Sequence, residues 1–174
     1  MKKYSLGAVL PLFIVLVVLI FGNFHPANAE SKGDTESLVK QSIMVWNTGN
    51  TAIADQIYSP DFIVHLVDQD HSELKGTTAL MDYVSFIRTA YPDMKYEPDH
   101  MSIDGNTVTT RITFTGTNTG PRGVLLPTNK KVKVSIVLIS QIDEGEIAEE
   151  WLYVNMASVY KQLGFTITPP SAKK

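Results

Sequence analysis

The order of apolar patterns predicts an α+β fold in which a curved antiparallel sheet of four to five strands wraps over three N-terminal helices. Two observations carry it: helical periodicity comes first and strand runs later, and turn residues separate the β-branched runs at hairpin spacing. A third is the absence of cysteine, so no disulfide framework holds the chain and the fold must rest on its core. A sheet of this length twists and curls over its helices into a cone with an internal pocket.

Val39, Ile43 and Trp46 fall at i, i+4 and i+7 after Asp34, with Gly49 just beyond, and make the first helix. Ile53, Ala54, Ile57 and Tyr58 make a shorter one that Pro60 stops. A compact strand covers Phe62 to Val67. Leu80, Val84, Ile87 and Tyr91 repeat the helical stripe until Pro92 ends it. Strands are then expected over 94–103, 107–117, 132–142 and 146–154, joined by Asp104-Gly105-Asn106, a Gly/Pro-rich loop over 116–130, and Asp143-Glu144-Gly145. Asn155 and Gly164 bracket a last helix as N-cap and C-cap.

Met1-Lys2-Lys3-Tyr4, an apolar run from Leu6 to Phe21 and Ala27-Asn28-Ala29 have the form of a secretory signal over residues 1–29. The domain then spans 30–165, and 166–174 is an unstructured tail. Cleavage sends the protein to the periplasm or the outside with no membrane span; an uncleaved leader would anchor it. Beyond residue 29 the chain has 13 basic against 18 acidic residues, which removes the electrostatic drive for a nucleic-acid partner. No nucleophile elbow, phosphate-cradling glycine loop or paired glycosidase acids are found.

Seven short motifs then appear in order: Tyr91-Pro92-Asp93, Gly105-x-x-Val108-x-x-Arg111, Gly116-Thr117-Asn118-Thr119-Gly120, Pro127-Thr128-Asn129-Lys130, Glu144-Gly145-Glu146-Ile147, Glu150-Trp151 and Gln162-Leu163-Gly164. Together they resemble the SnoaL-like polyketide cyclase, or ester cyclase, family over residues 36–165. The resemblance implies the cone of the nuclear transport factor two-like superfamily, frequent homodimers through the outer sheet face, and ring closure by aldol condensation without metal or cofactor. Its acid/base Asp corresponds to Asn155 here, its Gly-Thr-His-Thr-Gly histidine to Asn118, and the histidine before the tryptophan to Glu150.

Alternation on the last strand sets Glu149, Trp151, Tyr153 and Asn155 against Ala148, Glu150, Leu152 and Val154. The first set mixes aromatic surface with polar tips and is expected to line the pocket; the second is expected to be plain core or exterior. His65, within Phe62-Ile63-Val64-His65-Leu66-Val67, and Glu149 are the candidate proton carriers, and Asn155, with Arg111, completes the catalytic set as an oxygen-holding group. Arg111, Asn118, Trp151 and Tyr153 are the candidate substrate contacts. Each has a plainer alternative: a solvated carboxylate for Glu149, a backbone-bonded histidine, a paired arginine, and a helix cap for Asn155. His65, Asp68, Asp70 and His71 are metal-ligand types, in a loop better suited to solvating its charges. Restoring Asp at 155 is expected to place an ionisable group in an apolar site.

Two functions follow: a cofactor-free, cyclase-like lyase or isomerase acting on a small apolar carbonyl or ester compound, or a non-catalytic domain binding a small molecule or a partner on the same cone.

Overall fold

The structure, a computed structural model, describes residues 32–67 and 72–166. The leader, the residues Asp68, Asp70 and His71, and the end of the tail lie outside the described residues.

Four helices and six strands follow one another as α1 (Lys32–Thr48), α2 (Thr51–Ile57), β1 (Tyr58–Leu66), β2 (Ser72–Lys75), α3 (Gly76–Ala90), β3 (Lys95–Asp104), β4 (Thr107–Thr117), β5 (Lys131–Asp143), β6 (Glu146–Val154) and α4 (Met156–Leu163). The α+β class is the one expected. The sheet, ordered β2-β1-β6-β5-β4-β3, is larger and more mixed than expected. β1 runs parallel to β6, while the other neighbouring pairs are antiparallel. The early strand therefore closes the sheet beside the last one, a pairing that local hairpin signals cannot reveal. β2 escaped the sequence pattern because only Leu74 among its four residues is apolar.

β1 begins at Tyr58, four residues before the predicted Phe62, and carries Pro60 where its register to β6 is irregular. Proline is tolerated there because no regular ladder bond is lost. Asn50 caps α2 by accepting the Ala52 amide at 3.0 Å. Asn155 caps α4 and the left-handed Gly164 ends it, as the sequence predicts.

The buried face of the sheet is set by strict cross-strand layers. Ile112, Ile136 and Val154 form one, Thr110, Leu138 and Leu152 the next, and Val108, Ser140 and Glu150 the third. Trp46 of α1 closes one side, its ring centroid 6.1 Å from Tyr83 of α3 and 5.5 Å from Tyr96 of β3. A fully buried tryptophan among aromatic neighbours contributes on the order of 3 kcal/mol through area alone. Among the described residues no helix is long and apolar enough to cross a membrane.

Candidate functional site

Between the helices and the sheet lies an apolar cavity. Tyr83 and Ile87 of α3, Tyr91 just beyond its end, Tyr96 and Phe114 of β3 and β4, and Val134 and Ile136 of β5 make one side of its lining. Leu152 and Val154 of β6 and Met156 and Val159 at α4 complete it, with Arg122 from the β4–β5 loop. The centre of a water molecule can reach about 40 Å³ of this space, room for a few waters; a ring-sized ligand needs the lining to part further.

This corrects the assignment of β6. Leu152 and Val154 face the cavity, whereas Trp151 and Tyr153 lie on the opposite face, with Tyr153 39% exposed. Alternation separated the two sets properly, but the mix of aromatic surface and polar tips made the outer set look like the pocket wall. Glu150 is in fact fully buried. Its Oε1 accepts hydrogen bonds from Ser42 Oγ at 2.9 Å and Ser140 Oγ at 3.0 Å, and Ser42 Oγ lies 2.8 Å from the Tyr58 hydroxyl. Oε2 has no partner among the described residues. Desolvation pushes the carboxyl up to about 7, against the opposing pull of the serine hydrogen bonds. Glu150 is thus the one carboxylate buried in the core among the described residues, one register layer beyond Leu152.

The predicted proton carriers do meet, but on the outer face. His65 Nε2 lies 2.6 Å from Glu149 Oε1, its Nδ1 lies 3.4 Å from Glu73, and its ring stacks on Trp151 at 5.2 Å. The parallel register of β1 and β6 sets His65 directly beside Trp151. None of these three lines the apolar cavity. Arg111 is also on the outside, 61% exposed and 3.6 Å from Asp99, in the paired arrangement that was its plainer alternative. Among the described residues no group of three His, Asp or Glu is placed to hold a metal ion.

Asn118 and Asn155 are occupied by the backbone. Asn155 is exposed and accepts the Ser158 amide at 2.9 Å, so it caps α4 outside the cavity. The expectation that an aspartate there would sit in an apolar site therefore fails. Asn155→Asp is now expected to keep the cap, change stability by less than about 1 kcal/mol and leave ligand binding unaltered. Urea unfolding of the two proteins checks this, and a loss above that limit would contradict the exposed cap.

Asn118, 3% exposed, ties three motifs together. Its Nδ2 donates to the carbonyls of Ala90 and Gly120, and its Oδ1 accepts from the amide and hydroxyl of Thr128. Asp93 meanwhile accepts the Thr117 amide and hydroxyl, both at 2.6 Å, and those bonds hold its carboxyl below the usual range. Gly120 passes so close to α3 that its amide donates to Ala90 O at 3.3 Å. Tyr91-Pro92-Asp93, Gly116–Gly120 and Pro127–Lys130 are thus one structural corner, whose result is to hold the following Arg122 beside the cavity.

Arg122 and Tyr91 are the lining residues that sequence reasoning missed as site groups. Arg122 stands in an apolar loop between two recognised motifs, which is a usable signal in hindsight. Tyr91 opens the first of the family-like motifs, but its helical spacing is that of a core residue.

The known proteins agree with this architecture. The family model described as SnoaL-like polyketide cyclase matches residues 36–163. TsrD from Streptomyces laurentii superposes with a TM-score of 0.69 at 18% identity, covering 78% of this chain and 98% of its own. A candidate SnoaL-like polyketide cyclase from Jannaschia sp. CCS1 gives 0.69 at 14%, covering 79% and 94%. IdmH from Streptomyces antibioticus, a candidate polyketide cyclase, gives 0.65 at 20%, covering 75% and 99%. No curated protein sequence matches the chain. With the model spanning most of the chain and the curved mixed sheet shared with these structures, the protein belongs to the SnoaL-like polyketide cyclase family.

Proposed function

We propose that this member of the family takes a small apolar carbonyl compound into the cavity between α3, α4 and the sheet. The cavity lining carries the reading: aliphatic and aromatic side chains with few polar groups, on the inner face of the cone. Acetophenone is a suitable probe. Saturable binding is expected by ligand-detected NMR, with an affinity at least about tenfold lower in Met156→Trp, where a larger ring at the partly exposed rim fills the space. Absence of saturable binding, or an unaffected Met156→Trp, would end this reading.

The cyclase-type reading needs an ionisable group on the inner face, and Glu150 supports it. The binding-domain reading is favoured by a specific observation: among the described residues no carboxylate or histidine lines the cavity. Turnover of an activated polyketide ester that disappears in Glu150→Gln would support chemistry; binding without turnover would support the second reading.

We propose in addition that the protein is exported after cleavage before Glu30. We further propose that it pairs with a second copy through the outer face, where Trp151, Tyr153, Val137 and Ile139 adjoin one another. Native mass spectrometry of protein collected outside the cytoplasm tests both. A dimer of chains beginning at Glu30 is expected, and full-length monomer would refute both.

A further inference from the structure

The cavity lining is apolar apart from Arg122 and the phenol groups of Tyr83, Tyr91 and Tyr96. Arg122 brings a guanidinium to its lining, and among the described residues the hydrogen-bond partner of that group is Met156 Sδ at 3.8 Å, a weak acceptor. Tyr91, 3% exposed, also lines the cavity, and its hydroxyl is buried with no protein partner among the described residues. An unmet donor of this kind is costly when nothing accepts from it. Among the described residues no carboxylate stands in the lining to neutralise Arg122.

Both groups are held there rather than left to drift. The Asn118 clasp and the Gly120 contact fasten the start of the loop to the end of α3, next to Tyr91. Reciprocal backbone bonds between Arg122 and Leu125, at 3.0 and 3.1 Å, then close a tight turn. That turn keeps Arg122 at the cavity while Val124 and Leu126 point outward, 96% and 80% exposed. The ring of Tyr91 is fixed edge-on to Phe114 at 5.5 Å.

From these two donors in the lining of a largely apolar cavity we infer that the ligand is a compact apolar monocarboxylate, its oxyanion held by Arg122 and Tyr91. The inference rests on the cavity being the ligand site and adds the ligand's charge. A guanidinium and a phenol offer several N–H and O–H donors in a water-poor setting, where charge-assisted bonds are strong. Burial raises the Tyr91 phenol above its ordinary range, so it stays a donor at neutral pH. A neutral amide of the same shape could occupy the apolar part but would leave the arginine charge unanswered.

Benzoate and benzamide separate these possibilities, since they share the ring and differ in charge. By NMR titration at pH 7, wild type is expected to bind benzoate at least about tenfold more tightly than benzamide. Arg122→Gln should bring benzoate to the benzamide level and leave benzamide unchanged. Tyr91→Phe should weaken benzoate severalfold, with its ring packing retained. Equal binding of the two probes by wild type, or a preference that survives Arg122→Gln, would overturn the inference while leaving the cavity reading intact. If neither probe nor acetophenone binds folded wild type, the cavity reading falls and this inference falls with it.

Discussion

Glu150→Gln is expected to remove a pH dependence of stability that wild type shows between about pH 4.5 and pH 7. In the folded protein burial raises the carboxyl from 4.5 to about 7. The unfolded chain therefore ionises this group first as pH rises, while the native state keeps it protonated. A raised folded value means a contribution fully present below the unfolded value and lost as pH climbs through the folded one. The displacement corresponds to a loss of about 3 kcal/mol, complete above roughly pH 8. Glutamine has nearly the same shape, keeps an oxygen for the Ser42 and Ser140 hydroxyls, and carries no charge to desolvate. The difference in unfolding free energy between variant and wild type should accordingly grow in favour of the variant from pH 4.5 to pH 8. Urea unfolding at several pH values reads it directly, and a difference that stays flat would show that the carboxyl is not desolvated. Glu150→Ala is a different experiment, because it also strands the two serine hydroxyls and leaves a cavity.

The second large effect concerns Gly120. A Cβ built at this position would stand 1.9 Å from the Thr89 carbonyl oxygen and 2.9 Å from its carbon. Both are backbone atoms of α3, so no side-chain rotation relieves the overlap. Gly120→Ala must either push the loop away from α3 or unfold its end. A cost of about 3 kcal/mol or more is expected, with a fall in Tm on the order of 10 °C. Displacing the loop also displaces Arg122, so the preference for benzoate over benzamide should shrink together with stability. Thermal unfolding checks the first part and the probe titration the second. A Gly120→Ala protein within about 1 kcal/mol of wild type would mean that the loop is not clamped to the helix.

The short polar and glycine-containing motifs that point to the family owe much of their regularity to architecture. Asp93 bonds to Thr117, Asn118 to Ala90 and Thr128, and Gly120 to the end of α3, so residues far apart in sequence serve one corner. Asn118 in particular spends its side-chain amide on the backbone, which explains how an amide can stand where the family motif has histidine without any loss of fold.

The sequence alone determined the elements whose causes are local. Helical spacing located α1 and α3, turn residues bounded β4 and β6 to the residue, and Asn155 and Gly164 bracketed α4. It also separated the two faces of β6 correctly, because alternation is a property of the extended backbone. It could not say which face is inside. That depends on cross-strand register, since Glu150 pairs with Ser140 and Leu152 with Leu138 across β5, in layers that face the helices. The aromatic surface and polar tips of Trp151 and Tyr153 misled the choice, and nothing local places Glu150 inside until Ser42, more than a hundred residues away, is seen to bond to it. The parallel pairing of β1 with β6 likewise decided that His65, Glu149 and Trp151 meet outside the cone. Arg122 became a cavity residue only when the clasp at Ala90 bent its loop over the sheet. Such contacts join segments far apart in sequence, and local periodicity carries no information about which distant segments will meet.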